Sequence, residues 1–106
     1  YESMRLQNLA EDKRREMARK IKAGFKSMTD EDIKDLMEEC SSSIKESDAL
    51  LRSVTEIPDI YKANFAQLRQ FIDNTMNRVE QVNEIGSKYL QAKPNKRKEY
   101  IRHYMQ

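Results

Sequence analysis

The chain has no tryptophan, two glycines, two prolines, one cysteine and one histidine in 106 residues. Sandwiches and barrels turn often and draw on glycine and proline at those turns, so this scarcity argues against an all-β fold. A single cysteine, Cys40, cannot form an intrachain disulfide, and a reducing, intracellular compartment (cytoplasmic or nuclear) is expected. Cys40 falls on an apolar stripe, which predicts a buried and unreactive thiol. The apolar runs are only a few residues long, too short for a transmembrane span or a secretory signal. His103 alone offers no partners for a histidine-based metal site, and no glycine-rich phosphate loop occurs. The carboxylates lie in patterns that place them on solvated helical faces, away from any tuned acid–base pair. No enzyme activity, catalytic residue, metal or cofactor is therefore assigned.

What the chain does hold is charge and periodicity. Charged residues make up 36% and hydrophobic ones 38%. Tyr61, Phe65, Leu68, Ile72, Thr75, Val79, Val82, Gly86 and Tyr89 recur in alternating steps of four and three, the spacing of a coiled-coil seam. Ile33, Met37, Cys40, Ile44, Ser47, Leu51 and Val54 form a second seam of the same kind. Met17, Ile21, Phe25 and Met28 give a shorter face, preceded by Leu6, Leu9 and Ala10. Between Ala10 and Met17 every residue is charged, so the first half of this segment is expected to project or fray without a partner.

These patterns predict an all-α fold: an elongated three-helix antiparallel bundle, up-down-up, with coiled-coil-like packing at crossing angles of about 20°. Helices are expected over about 2–27, 30–55 and 59–91, forming one unit over 1–92. The last would be roughly 50 Å long. Residues 93–106 form a basic tail or a short fourth helix docking Tyr100, Ile101 and Tyr104. Thr29 and Asp32 have the spacing of a reciprocal helix cap, and Asp30, Glu31 and Asp32 suit a helix N-terminus. Pro58 separates the second helix from the third, and Pro94 ends the third. The opening at Tyr1 reads as a domain cut from a longer protein.

Charge is segregated. Residues 1–28 hold eight Lys or Arg against four acids, residues 29–57 three against nine, residues 58–92 four against four, and residues 93–106 five against one. In a hairpin of the first two helices, residues 19–26 would face Asp32, Asp35, Glu38 and Glu39. Lys13, Arg14 and Arg15 lie beyond that acidic stretch, and Lys96, Arg97, Lys98 and Arg102 stand in the tail. These seven are the candidate polyanion-binding residues.

The apolar seams are longer than the charged first helix can cover. Surface near Leu50, Leu51, Ile57, Ile60 and Tyr61 is therefore expected to stay exposed as a protein interface. The expected function is a non-enzymatic interaction or scaffold domain within a larger assembly, meeting a protein partner or a second copy. The alternative is a nucleic-acid-binding helical domain using the first helix and the tail. Binding at a membrane surface is not expected, because the basic segment lacks a broad apolar strip.

Overall fold

A computed structural model describes residues 2–105, with side chains through His103. The chain forms α1 (Glu2–Lys22), α2 (Asp30–Arg52), a short 3-10 turn (Asp59–Tyr61), α3 (Lys62–Gln91) and α4 (Arg97–Met105). The first three helices run up, down and up in an elongated bundle of 56 × 26 × 18 Å. Cross-helix contacts fix the directions. Ser3 meets Ser47 and Lys13 meets Glu39, so α1 and α2 are antiparallel. Arg69 meets Asp48 and Asn83 meets Met37, so α2 and α3 are antiparallel. Gln7 meets Thr75 and Glu11 meets Arg78, so α1 and α3 run in parallel.

The start of α2 follows from its sequence. The Thr29 hydroxyl accepts from the Asp32 amide at 3.1 Å, and the Asp32 carboxylate accepts from the Thr29 amide at 3.0 Å. Both bonds satisfy amides that the first helical turn leaves without partners. Ser53 closes the other end: its amide donates to the Ala49 carbonyl at 3.1 Å and its hydroxyl to the Leu50 carbonyl at 2.6 Å. The helix thus stops at Arg52, short of residue 55, and Val54 leaves the seam to stand exposed. The first turn expected of the third helix is the 3-10 turn, entered from Pro58 at φ −56°.

Helix α1 also ends early, at Lys22 rather than near 27. The Phe25 amide donates to the Lys20 carbonyl at 2.8 Å and the Gly24 amide to the Ile21 carbonyl at 2.9 Å, the paired closure of a Schellman cap. Gly24 sits at φ +68°, and Phe25 and Ser27 follow at +58° and +63°. Phe25 is buried as its place in the apolar pattern implies, but from the loop, with its ring 4.5 Å from that of Tyr89. The loop moves the centre of the hairpin from residue 29 to about residue 26, as the pairing of 13 with 39 requires.

The core follows the two long seams. Ile33, Cys40, Ile44, Ser47 and Leu51 of α2 are buried, as are Ile72, Thr75, Val79, Val82 and Gly86 of α3. Helix α1 does not project. Leu6, Ala10, Met17 and Ile21 are buried, and Ser3, Gln7 and Glu11 fill the positions between them. Ser3, Gln7, Ala10, Arg14, Met17 and Ile21 themselves keep the four-three spacing, masked in the sequence by their polar members. Gly86 lets α3 approach closely: a Cβ there would lie 2.7 Å from Met17 Cε and 3.0 Å from Met37 Sδ. Helix α4 closes the end of the bundle near the α1–α2 loop, with Ile101 buried. The expected docking of Tyr104 falls outside the described side chains.

Two substitutions separate core from surface. Ile72 is fully buried, and Ile72→Ala should destabilise by about 2–5 kcal/mol in denaturant titrations, whereas exposed Gln70→Ala should be nearly neutral. Leu68 is only half-buried, so its truncation should fall between them. Gly24→Ala meets no steric clash at its Cβ but must hold a left-handed conformation, and should lower stability by about 1 kcal/mol.

Candidate functional site

At the end of the bundle opposite α4, the first residues of α1, the last turn of α2, the 54–58 linker and the first turns of α3 enclose a groove of about 530 Å³. Its walls are mainly apolar. Of the five residues expected to form an interface, Leu50, Leu51, Ile57 and Tyr61 line it. Leu51 is only 3% exposed and forms the floor, joined to the core, while Leu50 and Tyr61 stand on the wall at 37% and 50%. Ile60 is 81% exposed on the 3-10 turn beside the groove but does not line it.

The structure adds Met4, Val54, Phe65, Leu68 and Phe71. Phe71, half exposed, escaped the sequence pattern because it precedes the buried seam residue Ile72 and is off the stripe. Met4 was hidden by the charge of α1. A large aromatic next to a seam, at a helix end that lacks a covering partner, was the available signal.

The basic residues are held differently from the expected pattern. Lys13 Nζ lies 3.1 Å from Glu39 and 3.8 Å from Glu16. Its pKa is raised, chiefly by the hydrogen bond to Glu39. Arg14 binds Glu11 at 2.5 Å, and Arg15 and Arg78 reach the same carboxylate at 3.6 and 3.5 Å. The α2 acids do not meet residues 19–26 in ion pairs among the described residues; Lys13 and Arg97 reach them instead. Arg97 grips Asp30 with two nitrogens at 2.9 and 3.2 Å, donates to the Leu90 carbonyl, and stacks over the Tyr89 ring at 4.9 Å. Lys96 pairs with Glu99 at 3.6 Å. Lys98 and Arg102 are exposed, one turn apart, with no ion pair among the described residues. Arg14 and Tyr100 share the wall of a second, polar recess of about 400 Å³ between α1, α3 and α4.

A buried polar line runs beneath the groove and along α1. The Ser47 hydroxyl donates to the Ser3 carbonyl at 2.7 Å, and the Ser3 hydroxyl to the Ser47 carbonyl at 3.0 Å. Gln7 donates to the Thr75 hydroxyl at 3.0 Å, which donates to Glu11 at 3.4 Å. Burial acts to raise the Glu11 carboxyl, but Arg14, Arg78 and Arg15 together hold it below the usual carboxylate range. Asp48 is likewise pushed up by burial and drawn below its usual value by Arg69 and Arg52. Burial raises the Cys40 thiol to about 11, which keeps it protonated and unreactive at neutral pH. Among the described residues no cluster of His, Cys, Asp or Glu is placed to hold a metal ion, and no helix is long and apolar enough to cross a membrane.

Compared with protein-family models, curated proteins and solved structures, the chain matches none of them.

The depressed carboxylates set the response to acid. A carboxyl whose folded pKa lies below its unfolded value of about 4 stabilises the fold above that value, and the contribution is lost as pH falls through the folded pKa. The melting temperature should therefore hold near neutral pH and drop below about pH 4. Glu11→Gln should melt lower at pH 7, because Arg14, Arg15 and Arg78 lose their shared counter-charge, and should lose less on acidification.

Proposed function

We propose that this chain is a non-enzymatic protein–protein interaction domain, a part of a larger assembly, and that the apolar groove is its working surface. One observation carries the reading. Of seven large hydrophobic side chains left exposed among the described residues, six (Met4, Leu50, Val54, Ile60, Tyr61 and Phe71) gather at the groove end. Single exposed apolar residues are ordinary on a surface, but a contiguous set beside a groove marks a place that another surface covers.

The alternative, polyanion binding by the basic segments, has less free charge than the sequence implies. Lys13, Arg14, Arg15, Lys96 and Arg97 each have a carboxylate partner. A counterion-release mechanism needs cations free to neutralise phosphates, and of the seven candidates only Lys98 and Arg102 are without an ion pair among the described residues. Weak, shallow salt-dependent retention on heparin is expected, and steep salt dependence lost on Lys98→Gln with Arg102→Gln would favour the alternative.

The direct test places a photo-crosslinking amino acid at Phe71 or at exposed Glu80, outside the groove. A defined protein adduct, or a homodimer, should form from position 71 and not from position 80. Equal labelling at both positions, or none together with a constant monomer mass across concentration, would refute the interaction reading. Leu50→Asp and Phe71→Asp should abolish the adduct or dimer while shifting stability by no more than about 0.5 kcal/mol, as for other surface changes.

A further inference from the structure

The polar recess between α1, α3 and α4 holds more positive charge than its carboxylates neutralise. Its walls carry Arg14, Arg78 and Lys88 against one acid, Glu84. Behind the arginines lies Glu11, which Arg15 also reaches. Together these are four cations and two carboxylates, a surplus of two positive charges. Sharing is the cause: one buried carboxylate serves three guanidiniums. Arg78 stands outside the basic segments of the sequence, and only the parallel register of α1 on α3 brings it beside Arg14.

Donors are spare as well as charge. A guanidinium offers more N–H groups than one carboxylate accepts. Arg14 spends Nε and Nη2 on Glu11, while half-exposed Arg78 makes only the 3.5 Å ion contact to that carboxylate among the described residues. The floor follows from one small residue. The register that sets Gln7 on Thr75 and Glu11 on Arg78 brings Ala18 level with Ile85, and the recess lies over Ala18, Val82 and Ile85 with Tyr100 of α4 at its side. Lys88 lies about 15 Å along α3 from Arg78 and adds to the field from the other end. A volume of about 400 Å³ is of a size for a small molecule. Arginine forks match phosphate oxygens, and a phosphate monoester carries close to two negative charges at neutral pH, as many as the surplus here.

Independently of the apolar groove, we propose that this recess binds a small organic phosphate monoester. The phosphate lies on Arg14 and Arg78, and the organic part covers Ala18, Val82 and Ile85 beside Tyr100.

Phenyl phosphate, phenyl sulfate and inorganic phosphate, titrated into the full chain at constant ionic strength and followed by amide NMR shifts, test this. Phenyl phosphate should shift the amides of Ala18, Val82 and Ile85. It should bind roughly tenfold more tightly than phenyl sulfate, which carries a single charge, and than inorganic phosphate, which lacks the ring. Arg78→Gln should weaken phenyl phosphate roughly tenfold, whereas Arg102→Gln, outside the recess, should leave it unchanged. Ala18→Met fills the floor and should remove the advantage of the ring while inorganic phosphate still binds. Circular dichroism checks that each variant remains folded. Absence of shifts at these amides, or equal losses from Arg78→Gln and Arg102→Gln, would overturn the site and leave only a general attraction for anions. Equal affinity for phenyl phosphate and inorganic phosphate, or a ring advantage that survives Ala18→Met, would overturn the organic part. Equal affinity for phenyl phosphate and phenyl sulfate would overturn the match to a dianion.

Discussion

Where α1 sits along the α2–α3 pair is decided by hydrogen bonds more than by apolar contact. Seams of Leu, Ile, Val and Ala resemble themselves after a heptad, so apolar packing alone discriminates weakly between registers. The polar members do not repeat. Ser3 and Ser47 exchange hydroxyl-to-carbonyl bonds, Gln7 meets Thr75, and Thr75 meets Glu11. A slip by a heptad would leave several of these groups buried without partners, at about 1–3 kcal/mol each. The polar line thus selects one register for α1 on the α2–α3 pair.

The α1–α2 loop agrees with that choice. A long helix through residue 27 would place the hairpin centre near residue 29 and oppose different partners. The Schellman closure at Gly24, followed by left-handed Phe25 and Ser27, takes up the intervening residues instead. Phe25 still reaches the core and Tyr89. At the same end Arg97 draws three elements together, the start of α2 through Asp30 and the end of α3 through Tyr89 and the Leu90 carbonyl, from its own place on α4. One end of the bundle is therefore closed by α4 and the α1–α2 loop together.

The long elements were legible from the sequence because their apolar residues keep one period for several turns. The buried residues of α3 are nearly those its spacing predicts, and the Thr29–Asp32 cap is where the chemistry of those side chains puts it. Only part of the apolar rim was legible: Leu50, Ile57 and Tyr61 follow from the ends of the two seams, while Met4, Val54 and Phe71 were not expected there. What was hidden depended on contacts between segments far apart in the chain. Arg14 and Glu11 read as solvated charges on a poor helical face, yet Glu11 is 9% exposed and shared by three arginines. A period search that counts only apolar residues passes over Ser3 and Gln7, although both occupy the seam. The end of α1 was misplaced because Phe25 fits a helical stripe equally well from a left-handed turn.

The close approach at Gly86 has a chemical consequence. It sets the Met17 methyl and the Met37 sulfur where a side chain would otherwise be. Oxidation of Met37 to the sulfoxide adds a polar oxygen where α2 and α3 already touch, and a thioether that packs softly becomes a group that needs water or a donor. Met17, fully buried, is shielded from the same reaction while the bundle is closed. A larger or more polar group at either sulfur therefore works against the packing of all three long helices at once.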